Sequence, residues 1–147
     1  MNIEFSEFEF AQLPPQILYD ILALRIEVFA IEQNCLYQDL DFKDQLARHF
    51  VGYDQQQLAA YGRVLFDPDK KALSSGRVIT AKTYRGRGVG NLLMQQMMNF
   101  LNKKYSQPHV VISSQCYIQN FYQSFGFEPQ GDPYLEDGIP HIKMVRN

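Results

Sequence analysis

The sequence predicts a mixed α/β fold: a mostly antiparallel sheet of six to seven strands, a central parallel pair joined through a helix, and flanking helices. Three observations carry this. Residues 48–54, 58–66 and a run ending near Thr80 are strand-like stretches separated by short polar turns, the pattern of an antiparallel meander. An amphipathic helix pattern from Leu92 follows the last of them and precedes the apolar run Val110-Val111-Ile112, which is the order of a βαβ unit. No repeat, low-complexity tract or linker divides the 147 residues, so residues 1–147 read as one domain.

Each element has a local justification. Residues 2–10 place Ile3, Phe5, Phe8 and Phe10 among acidic and polar neighbours, an imperfect alternation that suits a first strand. Pro14-Pro15 opens a helix, since proline is favoured in a first turn. Leu18, Ile21, Leu22 and Phe29 form its apolar stripe, widened by Ile17, Leu24 and Val28. Arg25 falls on that stripe, where a charge must be paired, and Glu32 seven residues on is the partner that helical spacing offers. Residues 33–45 lose periodicity and collect Asp39, Asp41 and Asp44; spacing alone favours a solvated loop over the wall of a pocket for a cationic ligand.

The meander follows, with turns at Asp54-Gln55-Gln56-Gln57 and at Asp67-Pro68-Asp69-Lys70. The helix from Leu92 carries Leu92, Leu93, Met97, Phe100 and Leu101 and reaches about Tyr105, its methionines reading as core filler. After the Val110–Ile112 strand, a second helix spans Tyr117 to Phe125 and ends at Gly126. Phe127 and Ile139 to Val145 supply two last strands around the Asp137-Gly138 turn.

Composition excludes several classes. A formal charge of −2 leaves no basic footprint for general nucleic-acid binding. Cys35 and Cys116 lie in separate segments without metal-ligand spacing, which suits free thiols and no zinc site; no calcium-loop pattern accompanies the aspartates, so no metal is expected. The first residues show no basic and apolar leader, and no run approaches the roughly 18 apolar residues of a membrane span, so the expectation is a cytoplasmic protein without membrane attachment.

The most informative stretch is residues 76–91. Val78, Ile79 and Thr80 read as a buried strand, and Gly86, Gly88 and Gly90 alternate just before a helix. Glycines there let the backbone approach a ligand and leave the first helical N–H groups free, which with Arg85 and Arg87 makes a cradle for a phosphate. The spacing fits neither a P-loop nor a dinucleotide fingerprint. The plain alternative is a glycine-rich turn with exposed arginines.

Arg85-Gly86-Arg87-Gly88-Val89-Gly90 resembles the [QR]-x-x-G-x-[GA] pyrophosphate loop of the GNAT family of N-acetyltransferases. A second stretch, Asn120-Phe121-Tyr122-Gln123-Ser124-Phe125-Gly126-Phe127, resembles that family's segment after the fifth strand, with the asparagine offset by its own spacing. The order of elements matches along nearly the whole chain. Arg25 to Phe29, Glu32 to Cys35, Tyr37, Asp39, Asp41 and Glu136 to His141 make it similar in particular to the ElaA-like branch.

The resemblance implies acetyl-coenzyme A as co-substrate, lying where the fourth and fifth strands splay apart, and a small-molecule or peptide amine as acceptor. It places Val78, Ile79 and Thr80 along the pantetheine arm, with a strand N–H near Ile79 or Thr80 as oxyanion donor. Arg85, Gly86, Arg87, Gly88, Val89, Gly90 and Asn91 would surround the pyrophosphate, and Asn120 the far side of the arm. Tyr122 would be the general acid for the leaving thiolate, although it also falls on a core stripe with Ile118, Phe121 and Phe125. Glu32 and His141 are two candidates for the base; His49 and His109 have no nameable partners, and nothing in the sequence activates Cys116. A homodimer is common in such a family, but no residue demands one. The alternatives are a non-catalytic acyl-coenzyme A sensor or an acyltransferase with another acyl donor, including acyl-homoserine-lactone-type chemistry.

Overall fold

The structure, a computed structural model, describes residues 1–147. Its strands are β1 (Ile3–Glu9), β2 (Arg48–Asp54), β3 (Gln57–Asp67), β4 (Ala72–Thr80), β5 (Val110–Gln115), β6 (Glu128–Glu136) and β7 (Ile139–Arg146). Its helices are α1 (Pro15–Arg25), α2 (Val89–Lys104) and α3 (Gln119–Gln123). The seven strands form one sheet in the order β1-β2-β3-β4-β5-β7-β6, antiparallel throughout except for β4 and β5. This is the mixed sheet with a central parallel pair that the sequence predicts. No helix is long and apolar enough to cross a membrane.

The two long helices cover opposite faces of β3. Tyr61 and Arg63 project toward α1 and the segment that follows it, while Gly62 meets α2: a Cβ there would sit 2.6 Å from Met97 Sδ. Only glycine allows so close an approach of helix to strand. Val89, Leu93, Met94, Met97, Met98 and Leu101 form the buried side of α2, and Ile21 and Leu24 that of α1, continued by Val28 just beyond it. Burying each such side chain is worth about 1.5–3 kcal/mol before chain entropy is counted. The α2 helix starts at Val89, three residues before the expected Leu92, and Leu92 itself is exposed, because Gly88 in the left-handed region caps the helix a turn early.

Two further elements differ from expectation. Beyond Arg25 the first helix continues to Glu32 but widens into a π-helical stretch, Ile26–Glu32. The second helix is shorter than the Tyr117–Phe125 span: a 3-10 turn at Cys116–Ile118 leads into α3. The Asp137-Gly138 turn is as expected, with both residues at positive φ (52° and 76°), the geometry of a tight β-hairpin joining β6 to β7.

Candidate functional site

Strands β4 and β5 are paired only at Leu73 and Val110 and diverge beyond that point. The divergence opens a cleft of about 860 Å³ through the middle of the sheet. On the β4 side a bulge opposite β3 takes Arg77 to a φ of 51° and shifts the register between Tyr61 and Arg63, so the strand turns away from its regular path just before Val78. Val78, Ile79 and Thr80 line that wall. Ser113, Ser114 and Gln115 of β5, then Ile118 and Tyr122, line the other. Phe29, Glu32 and Gln33 at the end of the π-helical stretch form a third side, and Glu136, Asp137 and His141 of the β6–β7 hairpin a fourth.

The glycine loop sits beyond Thr80, where β4 hands the chain to α2. Gly86 and Gly88 have φ of 76° and 77°, and a Cβ at either would meet nothing within 4 Å, so glycine is required there by backbone conformation and not by crowding. Gly90 lies 3.5 Å from Thr80 Oγ1, measured from where its Cβ would be, which ties the first turn of α2 to the end of β4. Gly88 has no capping side chain, and the first intrahelical bond is Leu92 N–H to Gly88 carbonyl; the N–H groups of Val89, Gly90 and Asn91 have no acceptor within the helix. A sixteen-residue helix adds its positive pole at the same point. This is a ready site for an anion.

The two arginines of the loop differ. Arg85 turns back: its Nε donates to the Thr80 carbonyl at 2.9 Å and its Nη2 pairs with Glu32 Oε2 at 2.8 Å, so it lines the cleft. Arg87 points outward, its guanidinium 5.9 Å from the Tyr84 ring centre. Asn120 is exposed at the start of α3 and is not among the cleft's lining residues.

Tyr122 belongs to both of its readings. Its ring is buried in edge-on contact with Phe121 and Phe127, while the residue lines the cleft and its hydroxyl has no hydrogen-bond partner in the chain. Burial raises its pKa to about 12, so the phenol keeps its proton at neutral pH and presents an O–H donor to the cleft. His141 is buried on β7. Its Nδ1 lies 2.7 Å from the Ile139 carbonyl, its Nε2 3.3 Å from Glu136 Oε2, and its ring stacks on Tyr134.

The acidic segment is where sequence reasoning fails. Arg25 does not pair with Glu32; it pairs with Asp39 at 2.8 Å and Asp44 at 2.7 Å. The widened π-helical turn removes the seven-residue alignment that an α-helix would have kept, and Glu32 faces Arg85 instead. Nor are the aspartates a solvated loop. Asp44 also accepts from Arg63 Nη1 at 2.7 Å, Asp41 pairs with Arg63, and Arg77 Nε lies 2.9 Å from Asp39. Burial alone would push Asp44 and Asp41 up, but Arg25 and Arg63 outweigh it at Asp44, and Arg63, the Lys43 N–H and Arg77 outweigh it at Asp41, so both carboxyls are held low. Three arginines from α1, β3 and β4 thus neutralise three aspartates from one irregular segment and fix it as the cleft's floor. A signal did exist: arginines at Arg63 and Arg77, inside apolar strand runs, demand buried partners.

His49 also has partners the sequence did not name. Its Nε2 donates to the Asp44 carbonyl at 2.8 Å and its Nδ1 accepts from Tyr61 hydroxyl at 2.6 Å; burial lowers its pKa and keeps it neutral. It is a structural group under the same network. His109, at the surface, bonds to Asn147.

A family model described as an acetyltransferase (GNAT) domain matches residues 17–147. Protein ElaA of Escherichia coli (strain K12) is 42% identical over 147 residues, covering 98% of this chain and 96% of that protein. The crystal structure of Escherichia coli ElaA superposes with a TM-score of 0.93 at 40% identity, covering 99% of this chain and 100% of that one. The crystal structure of an acyl-CoA N-acyltransferase from Pseudomonas aeruginosa gives a TM-score of 0.92 at 35% identity, again over 99% of this chain and 100% of that one.

Proposed function

The chain belongs to the GNAT acetyltransferase family, in its ElaA-like branch, and is an acyltransferase; from that premise we propose that it transfers the acetyl group of acetyl-coenzyme A to an amine by direct attack on the thioester in a ternary complex. The observation that carries the reading is the cleft opened by the splay of β4 and β5, with a free helix N-terminus at the end of one wall and a protonated phenol on the other.

In this reading the N–H groups of Val89, Gly90 and Asn91, on a backbone shaped by Gly86 and Gly88, hold the pyrophosphate. Arg85 flanks it from the cleft side and Arg87 from solvent. The backbone of Val78, Ile79 and Thr80 binds the pantetheine arm, and a strand N–H near Ile79 or Thr80 stabilises the oxyanion. Asn120 acts at the outer face of the arm. The acceptor, a small molecule or peptide bearing an amine, enters between the π-helical stretch and the β6–β7 hairpin. Its nitrogen forms the new bond to carbon, the carbon–sulfur bond breaks, and Tyr122 supplies a proton to the departing thiolate. A thiol titrates near ~8.5, well below a phenol, so a thiolate already leaves readily and this help is worth roughly 10²-fold, the low end for acid–base catalysis.

The test is thermal stability with acetyl-coenzyme A, coenzyme A, ATP and NADH in parallel. A ligand at a hundredfold excess over its dissociation constant stabilises the folded state by about 2.7 kcal/mol. A shift with the coenzyme A species alone is the expected result; no shift with any of them refutes the cofactor site. Turnover is then measured across a panel of primary amines, where Tyr122→Phe should lower kcat roughly 10²-fold with little change in KM for acetyl-coenzyme A. Binding without turnover of any amine would identify a sensor instead.

A further inference from the structure

We infer that His141 and Glu136 form a proton-accepting pair for the incoming amine: His141 Nε2 takes a proton from the acceptor's ammonium group, and Glu136 holds the imidazolium that results. This deepens the acetyl-transfer reading and rests on it.

The tautomer follows from the partners. A carbonyl oxygen can only accept, so the 2.7 Å contact from Nδ1 to Ile139 places the ring proton on Nδ1. The neutral ring therefore has its lone pair on Nε2. That atom lies 3.3 Å from Glu136 Oε2, off the line of a hydrogen bond but close enough for the carboxylate to pair with the ring's charge once a proton is added. The ring cannot easily turn away. It stacks on Tyr134, whose hydroxyl is bonded to Ser113 on β5, and it sits between Gln115 and Tyr134 in the strand register. His141 and Glu136 line the same cleft as Tyr122.

The charges around the pair suit a cation. From the hairpin, Glu136 and Asp137 face the cleft beside His141, with Tyr134 against the ring. From the segment beyond β5 come Tyr117 and Tyr122, and from the side opposite come Glu32, Tyr37, Arg77 and Arg85. The nearest positive groups are engaged elsewhere: Arg85 with Glu32, Arg77 with Asp39. That same ion pair occupies the Glu32 carboxylate, which leaves His141 as the base with a free lone pair. Asp137 has no ion-pair partner, so the hairpin end carries net negative charge that attracts an ammonium group.

The proton balance closes. The acceptor enters as R–NH3⁺ and loses one proton to His141, which passes it to solvent after turnover. The freed lone pair attacks the thioester carbon, the carbon–sulfur bond breaks, Tyr122 protonates the sulfur, and the second proton leaves the nitrogen and, by way of solvent, restores the Tyr122 phenol. Products are the amide, the thiol and one released proton.

Two measurements test the pair. Kinetics of wild type, His141→Gln and Glu136→Gln with a primary amine from the panel should show kcat lowered roughly 10²-fold in His141→Gln, with KM for acetyl-coenzyme A unchanged and the acid limb of the pH profile lost. Glu136→Gln should lower kcat by a smaller factor, because the accepting nitrogen remains while the imidazolium loses its counter-charge. Imidazole ¹⁵N NMR of the free protein should show the Nδ1–H tautomer. An Nε2–H tautomer, a full rate in Glu136→Gln, or a full rate with an unchanged profile in His141→Gln overturns the inference. If wild type turns over no amine, the acetyl-transfer reading falls, while the NMR result still decides whether the pair exists.

Discussion

Two arginine-bearing regions meet at the cleft, and they solve opposite problems. Beneath it, Arg25, Arg63 and Arg77 are paired with Asp39, Asp41 and Asp44, and both Arg25 and Arg63 are buried. At its end, Arg85 and Arg87 are exposed, on a loop whose helix leaves its first N–H groups free. The first region has spent its charge on holding an irregular segment in place. The second keeps unsatisfied donors for a ligand. A buried ion network is rigid because breaking one partner strands another; an open anion site works because nothing in the chain completes it.

The sharpest way to break this contrast is at Asp44, which alone bridges Arg25 and Arg63. Asp44→Ala leaves two buried guanidinium groups short of a partner, and the expected loss is about 3–5 kcal/mol of folding stability. Urea unfolding of the two proteins measures it. Arg87→Gln, at the open site, should change stability by no more than about 0.5 kcal/mol, as exposed substitutions do. If the two variants lose similar stability, the regions are not different in kind.

That contrast also explains what was legible in the sequence. The glycine loop announces itself locally: strand, alternate glycines and helix lie within sixteen consecutive residues, and each has a conformational meaning of its own. The sheet was legible for the same reason, since Val78 to Thr80, Leu93 to Leu101 and Val110 to Ile112 carry their periodicity internally. The acidic segment has no such signature. Asp39 and Asp44 find Arg25 across 14 and 19 residues, and Asp41 finds Arg63 across 22. Only the closed fold brings them together, and the π-helical widening that sends Glu32 away from Arg25 has no simple periodic mark. His141 and Glu136 are close in sequence, but their pairing depends on the twist of a hairpin whose outer strand, β6, is exposed along its whole length.

Charge pairing at the edge of the floor should have a pH signature. Asp67 accepts from Lys43 Nζ and from the Asp69 and Lys70 backbone N–H groups. Burial opposes its ionisation, but these partners outweigh it and lower its pKa to about 2. A carboxyl lowered on folding contributes stability above its unfolded pKa, near ~3.9, and loses it as pH falls through the folded value. Asp67→Asn should therefore cost about 1.5–3 kcal/mol at pH 7, the range for hydrogen bonds to a charged group, and progressively less from about pH 4 toward pH 2. A difference in melting temperature that persists undiminished at pH 2 would mean that the side chain acts through packing alone.

At the open site the expected stability effect is smaller, and its separation from binding is the informative part. Gly88 adopts φ 77° and ψ 9° at the start of α2, with free space where a Cβ would go. Gly88→Ala forces an L-residue into the left-handed region at a cost of roughly 1–2 kcal/mol, and Gly88→Asn should cost less, because asparagine tolerates that conformation. If the loop is only a turn, coenzyme A affinity should be indifferent to both variants once the folded fraction is accounted for. If the backbone N–H groups cradle a pyrophosphate, alanine should weaken coenzyme A binding beyond its effect on folding, through a cradle that relaxes away from the left-handed bend, and asparagine should retain more of it. Titration calorimetry of the three proteins separates these cases. Equal affinities would leave the loop with its conformational role alone and shift the burden of phosphate binding onto Arg85 and Arg87.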